Sequence, residues 1–98
     1  MSRIWFITGC SSGFGYELAT KALEADEKVI ATARNIEPLS ELSELYPENL
    51  TTITLDVTNP EQVKRVVSAA AKVYGRLDVV VNNAGYGLIG ALEECAET

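Results

Sequence analysis

Apolar residues in this chain fall into four short runs, separated by stretches in which they recur at helical spacing. The runs cover about residues 3–8, 28–33, 50–55 and 77–82 and are nearly continuous. Such runs are typical of strands that are covered on both faces of a sheet. The pattern therefore predicts four strands.

Three helices are predicted between the strands, because apolar residues there recur at intervals of three and four. On the first helix this apolar face consists of Phe14, Leu18, Ala19, Ala22 and Leu23. On the second helix, which lies between two prolines, it consists of Leu39, Leu42, Leu45 and Tyr46. On the third it consists of Val63, Val66, Val67, Ala70 and Tyr74. The third helix also has a capping-box signal at Thr58-Asn59-Pro60-Glu61 and a stop signal at Gly75.

Strands that alternate with helices through short connections predict an α/β fold with a parallel, doubly wound sheet. We expect the first half of a Rossmann-type fold, with strand order 3-2-1-4. The chain has 98 residues, 47% of them apolar, which suffices for one core. All of residues 1–98 are therefore expected to form one cofactor-binding unit, and the tail at 85–98 is predicted to be a loop followed by a short helix at about 91–96.

A glycine-rich loop, Thr8-Gly9-Cys10-Ser11-Ser12-Gly13-Phe14-Gly15, directly joins the first strand to the first helix. Glycines permit a sharp turn and let a pyrophosphate approach the backbone, while the free N–H groups of the helix start attract anions. The loop predicts a dinucleotide cofactor. An ordinary strand-to-helix loop is the alternative, and the surrounding strand and helix pattern favours the cofactor.

Two further motifs accompany this loop: Asp56-Val57-Thr58 after the third strand and Asn82-Asn83-Ala84-Gly85 after the fourth. Together the three motifs resemble the short-chain dehydrogenase/reductase family across nearly the whole chain. The segments Gly-Cys-Ser-Ser-Gly and Asn-Ala-Gly-Tyr-Gly most closely resemble those of family members related to 17-beta-hydroxysteroid dehydrogenases. The resemblance implies an oxidoreductase that transfers hydride between a nicotinamide cofactor and an alcohol or carbonyl group, and a homo-oligomer for the full-length enzyme.

The resemblance also implies roles for individual residues. The phosphates would be surrounded by Gly9, Ser11, Ser12, Phe14 and Gly15. Asp56 would accept from the adenine amino group, and the backbone of Val57 would contact the ring edge. The ribose near the nicotinamide would lie over Asn83, Ala84 and Gly85. For Asp56 the alternative is a turn residue before the third helix, whereas for Asn82 a structural bridge between strands is preferred to ligand contact.

The end of the second strand indicates which dinucleotide binds. An acid about 20 residues past the glycine loop would bind the ribose 2′-OH of NAD, whereas an arginine accommodates the 2′-phosphate of NADP. This chain has Ala33-Arg34-Asn35 there. A guanidinium suits a phosphate, and Asn35, Ser11 and Ser12 offer further donors. NADP is predicted over NAD, with a purely solubilising Arg34 as the alternative.

No catalytic residue is assigned. The family pattern requires Tyr-x-x-x-Lys, but the residues four positions after the tyrosines are Thr20, Leu50, Asp78 and Gly90. Ser40, Ser43 and Ser68 match no catalytic position. We therefore expect a portion that stops before the catalytic segment and is inactive alone. The alternatives are a regulatory dinucleotide-binding module and a half-domain that needs a complementary chain.

Charge and cysteine content limit which binding partners, cellular locations and metal sites are expected. Eight basic and 14 acidic residues give a net charge of −6 without a basic cluster, which argues against nucleic acid and anionic membranes. No signal peptide or membrane span is predicted, and a cytoplasmic location is expected. Without histidine, and with only Cys10 and Cys95, no metal site is predicted and both thiols are expected to be reduced. Cys10 is interpreted as a small space-filling residue rather than as a reactive thiol with a lowered pKa.

Overall fold

Strands and helices alternate along the parts of the chain that the computed structural model describes, residues 3–11, 13–56 and 58–83. The strands are β1 Ile4–Ile7, β2 Lys28–Ala33, β3 Leu50–Thr54 and β4 Val79–Val81. The helices are α1 Gly13–Glu24, α2 Ser40–Leu45 and α3 Pro60–Val73, and a 3-10 turn at Glu37–Leu39 precedes α2. The helix predicted at about 91–96 lies outside the described residues.

The strands form one parallel sheet in the order β3-β2-β1-β4. Phe6 of β1 pairs with Ile30 of β2 and with Val80 of β4, and Ile30 in turn pairs with Thr51 of β3. This row crosses the whole sheet. The predicted fold class and strand order are confirmed.

Alternate residues of the central strands enter two separate cores, one on each face of the sheet. On one face, Ile7 and Val29 belong to a cluster with Ala19 and Leu23 of α1 and Leu42 of α2. On the other face, the cluster is formed by Ile4, Phe6, Ile30, Leu55, Val63, Val67 and Ala70. Helices therefore cover both faces, α1 and α2 on one and α3 on the other, as a doubly wound fold requires.

The outer strands differ from the prediction in length and burial. β4 is limited to Val79–Val81, shorter than the expected run at 77–82, and its three residues are half-buried. β3 keeps Leu50 buried, but Thr51–Ile53 are half-buried and Thr54 is exposed. Only β1 and β2 are nearly fully covered, because they occupy the centre of the sheet.

Phe14 does not lie on the buried face of α1, contrary to the sequence prediction. Its side chain is 63% exposed. The buried stripe begins at Gly15 and continues through Ala19, Ala22 and Leu23. Phe14 is offset from Gly15 by one position, or about 100° around the helix, and therefore lies beside this stripe together with the half-buried Leu18.

Leu45 is also exposed, at 71%, although it was predicted to face the core. α2 has only six residues and ends at Leu45. The next residue, Tyr46, leaves helical geometry with φ −129° and ψ 60°, and its ring packs partly against the core. Because the helix ends at Leu45, Tyr46 rather than Leu45 is the next residue after Leu42 to pack against the core.

The capping signal of α3 is present one residue later than predicted. The N-cap is Asn59, not Thr58, and its side chain accepts a hydrogen bond of 3.2 Å from the backbone N–H of Gln62. Pro60 then occupies the first helical position, which its fixed φ favours. The predicted stop is confirmed, since Gly75 has φ +85°, a conformation that favours glycine.

Candidate functional site

The segments that contain the predicted site residues meet at one edge of the sheet. Because the strands are parallel, β1, β2, β3 and β4 all end at the same edge. Ligands of open α/β sheets bind at this carboxyl edge, near the point where the strand order reverses. Here that point lies between β1 and β4, next to the glycine-rich loop that follows β1.

Backbone hydrogen bonds join these segments to one another. The donor and acceptor pairs are Thr8 N to Val81 O at 3.1 Å, Cys10 N to Thr32 O at 3.0 Å, and Leu55 N to Ala33 O at 2.9 Å. The turns after β1 and β3 are therefore fixed against the neighbouring strands.

Two glycines give the loop after β1 its path. Gly9 and Gly13 have φ of +67° and +62°, values that residues with a Cβ rarely adopt. A Cβ on Gly13 would meet no atom within 4 Å, so the backbone here borders open space. Gly15 differs, because a Cβ there would collide with the carbonyl oxygen of Gly9. Gly13 thus leaves room for a ligand, and Gly15 allows α1 to pack against the loop.

The start of α1 is suited to an anion. Its first turn contains no acidic residue, whereas the first turn of α3 contains Glu61. The unpaired N–H groups of a helix start carry a partial positive charge that a nearby carboxylate would offset. Ser11 is half-buried beside this helix start, and the exposed Phe14 flanks it. Ser12 lies outside the described residues.

Cys10 is fully buried behind the glycine loop, as predicted for a space-filling residue. Its Sγ donates to the carbonyl oxygen of Ile7 at 3.2 Å. Burial raises the pKa of the thiol to about 12, so the lowered pKa considered for a helix start does not apply. Cys95 lies outside the described residues.

Arg34 directly follows β2, is exposed, and makes no hydrogen bond or ion pair with any residue that the structure describes. Its charge nevertheless reaches Asp56, whose pKa it helps to lower. Asn35 is also exposed, and its Oδ1 accepts from the N–H of Glu37 at 3.1 Å. A guanidinium and one side-chain amide group are therefore available for a ligand at this end of β2.

Asp56 is held in a tight turn after β3. Its Oδ1 accepts from the hydroxyl of Thr58 at 2.6 Å and from the Thr58 N–H at 3.0 Å. These two bonds, followed by the charge of Arg34, keep the pKa of the carboxyl below its usual value. Oδ2 makes no hydrogen bond with the described residues. Asp56 is thus both the turn residue of the alternative interpretation and an ionised acceptor with one oxygen available.

Asn82 and Asn83 connect the end of β4 to the loop after β1. The Thr8 hydroxyl lies 3.5 Å from Oδ1 of Asn82, a contact between adjacent strand ends that agrees with the predicted bridging role. Asn83 is exposed, and its Nδ2 donates to the carbonyl oxygen of Gly9 at 3.2 Å. The predicted site residues Val57, Ala84 and Gly85 lie outside the described residues.

Gln62 also contributes to this edge, and the sequence pattern did not single it out. Its Oε1 accepts from the N–H of Asp56 at 2.6 Å. The signal that identifies it is the capping pair Asn59-x-x-Gln62, one residue beyond the pair chosen from sequence. Without side-chain geometry, the two overlapping pairs are equally plausible.

The arrangement as a whole fits a dinucleotide. Open space beside Gly13 adjoins a helix start without acids, and a free carboxylate oxygen of Asp56 lies near the cationic Arg34. Residues 3–98 match the profile of the short chain dehydrogenase family. The chain belongs to this family. The match extends over all three sequence motifs, so the predicted family is confirmed.

Individual members of the family support this result. The chain is 44% identical over 95 residues to Oxidoreductase BOA17 of Botryotinia fuckeliana, covering 96% of the chain and 35% of the relative. A solved short-chain dehydrogenase from Streptomyces avermitilis superposes with a TM-score of 0.80 and 41% identity, over 82% of this chain and 30% of that one.

A more distant neighbour shares the fold alone. It is a 3-ketoacyl-(acyl-carrier-protein) reductase from Brucella melitensis, solved in complex with NADH, with a TM-score of 0.72 and 23% identity over 80% of this chain and 32% of that one. The chain thus spans about a third of the length of these proteins. Within the described ranges, no helix has the length and hydropathy needed to cross a membrane.

Proposed function

We propose that this chain binds NADP(H) and forms the cofactor-binding part of an oxidoreductase that transfers hydride between NADP(H) and an alcohol or carbonyl group. Family membership supports the oxidoreductase class, and the complex of the Brucella reductase with NADH supports a nicotinamide dinucleotide. The preference for NADP is supported by the residue that follows β2. The single observation that carries it is the position and exposure of Arg34.

In this proposal the glycine loop holds the pyrophosphate. The N–H groups at the start of α1 donate to phosphate oxygens, with hydroxyl groups from Ser11 and Ser12 as further donors. Gly9 and Gly15 shape the loop and its contact with α1, and Phe14 flanks the same surface. The open space beside Gly13 leaves room for the phosphates.

The adenosine half lies across the ends of β2 and β3. Arg34 and the side-chain amide group of Asn35 bind the 2′-phosphate, for which a guanidinium is the better partner than the carboxylate that would select NAD. Oδ2 of Asp56 accepts from the adenine amino group, and Val57 contributes its backbone. Asn83, Ala84 and Gly85 lie along the ribose on the nicotinamide side.

When bound, the cofactor supplies the hydride, and a carbonyl substrate then needs a general acid to protonate the developing alkoxide. The printed sequence contains no Tyr-x-x-x-Lys to supply it. We therefore propose that these 98 residues bind and orient the cofactor and do not complete the reaction alone.

We also propose a cellular location and an oligomeric state for the full-length enzyme. A cytoplasmic enzyme is supported by the buried thiol of Cys10, which forms no disulfide within the described residues. Homo-oligomer formation by the full-length enzyme is supported by family resemblance alone.

Fluorescence titration with NADPH and NADH tests the proposal. A charged 2′-phosphate contact is expected to make the Kd for NADPH lower by about 10-fold or more. Equal affinities would reject the NADP preference while preserving a dinucleotide site. Binding of neither nucleotide to the folded protein would reject the site itself.

A further inference from the structure

Gln62 is half-buried in the first turn of α3, and its side chain leaves the helix to reach the preceding turn. Oε1 accepts from the backbone N–H of Asp56 at 2.6 Å. The bond spans six residues and joins α3 to the end of β3.

This bond differs from the usual capping arrangement. In a capping box the third helical residue bonds back to the N–H of the N-cap. Here the N–H of the N-cap, Asn59, donates to the carbonyl oxygen of Asp56 at 3.1 Å. Asn59 in turn accepts from the N–H of Gln62 through its side chain. Since these bonds already satisfy the helix start, the side chain of Gln62 acts on Asp56 instead.

Asp56 is therefore fixed at three of its polar groups. Its N–H donates to Gln62, its carbonyl oxygen accepts from Asn59, and its Oδ1 accepts from Thr58. Of these partners, Gln62 is the one whose side chain fixes the backbone of Asp56. With the backbone held on both sides and Oδ1 held by Thr58, the remaining carboxylate oxygen Oδ2 is left with one direction.

We propose that Gln62 is a positioning residue that aims Oδ2 of Asp56 at the adenine amino group and so sets the selectivity for adenine. The inference rests on the proposed function, because it requires a dinucleotide whose adenine contacts Asp56. Gln62 itself touches no cofactor atom in this scheme. Its contribution to binding passes entirely through Asp56.

The test compares NADPH with its hypoxanthine analogue, which has a carbonyl oxygen where adenine has the amino group. The measured quantity is the ratio of the two Kd values. For the unmodified protein we expect a preference for adenine of roughly 3–10-fold, the size of one hydrogen bond. Asp56→Ala should remove this preference.

Gln62→Leu, which lacks the acceptor, should bring the ratio close to that of Asp56→Ala. Gln62→Glu keeps an acceptor at the same reach and should preserve the preference. Ser68→Leu is the matched control, because Ser68 is an exposed polar residue on the same helix. A purely structural role of Gln62 would weaken both ligands equally and leave the ratio unchanged.

An unchanged ratio in folded Gln62→Leu overturns the inference and leaves the proposed function intact. An unmodified protein that binds both ligands equally overturns the adenine role of Asp56 and the inference with it. If Gln62→Leu does not fold, Gln62→Met provides the same comparison. Failure of both variants to fold would assign Gln62 to the fold itself and also overturn the proposal.

Discussion

Gly15 lies directly against the carbonyl oxygen of Gly9, at a separation that no residue with a Cβ could adopt without movement. The same oxygen accepts a hydrogen bond of 3.2 Å from Nδ2 of Asn83. The loop after β1, the start of α1 and the end of β4 therefore meet at one atom. The shape of the proposed phosphate site depends on this contact.

Gly15→Ala is expected to lower both stability and dinucleotide affinity. The new Cβ would collide with the Gly9 carbonyl and approach Nδ2 of Asn83 to 2.9 Å, and the backbone cannot move aside as a flexible side chain would. Overpacking of this kind costs about 1–3 kcal/mol in the free energy of unfolding. Urea denaturation and NADPH titration measure the two effects.

Gly75→Ala is the control for this prediction. Gly75 has φ +85° and open space around its Cα, and it lies after α3, away from the loop of β1. Backbone strain there should cost about 1–2 kcal/mol without changing the Kd for NADPH. A Gly15→Ala protein with unchanged affinity would show that the contact shapes the fold but not the phosphate site.

Arg34→Ala is expected to raise the Kd for NADPH by roughly 10–100-fold, the range of a lost charge-assisted contact. The Kd for NADH should change little, because NADH has no 2′-phosphate. Arg65→Ala on α3 removes an exposed arginine elsewhere and should alter neither value. Equal losses for the two nucleotides would instead assign Arg34 a role that does not depend on the phosphate.

The sheet could be predicted from sequence because its signals are local. β2 was predicted with its observed bounds, since Val29–Ala33 are all buried and flanked by polar residues. The exposure of Phe14 and Leu45 could not be predicted in this way. Apolar spacing identifies a stripe, but which edge of it faces the sheet depends on packing. For α1 this is the close approach of Gly15 to Gly9, and for α2 it is the end of the helix at Leu45.

The same holds for the proposed cofactor site. The glycine turn at Gly9, Gly13 and Gly15 could be predicted because glycine has a strong conformational meaning near a helix start. The side chain of Gln62 could accept from either of two nearby backbone N–H groups, that of the N-cap Asn59 or that of Asp56. Both choices are compatible with the sequence, so the geometry was needed to distinguish them.

A buried carboxylate at the opposite edge of the sheet predicts a specific dependence of stability on pH. Glu27 accepts from Arg3 Nε at 2.8 Å and from the Trp5 indole at 2.9 Å. The bond from Arg3 is the main cause that lowers its pKa from 4.5 to about 2. The unfolded state therefore binds a proton more tightly than the folded state.

Stability from Glu27 is thus fully present above pH 4.5 and is lost as the pH falls towards 2. Glu27→Gln should lower stability at pH 7 and show a shallower acid dependence between these values. Glu24→Gln replaces an exposed residue at the end of α1 and should keep the pH dependence of stability of the unmodified protein. The test is the midpoint of urea unfolding measured at several pH values. If the midpoint falls with pH equally steeply for Glu27→Gln and the unmodified protein, the prediction is contradicted.

The thiol of Cys10 is expected to react only when the fold opens. Burial raises its pKa from 9.0 to about 12, which reduces the thiolate fraction near neutral pH by about a thousandfold, and no surface is exposed to a reagent. In a Cys95→Ser background, alkylation should be slow in buffer and accelerate with urea as unfolding proceeds. NADPH should slow it further, because a ligand that binds the folded state reduces opening. Rapid alkylation that is insensitive to urea would show that Cys10 is reactive within the folded protein.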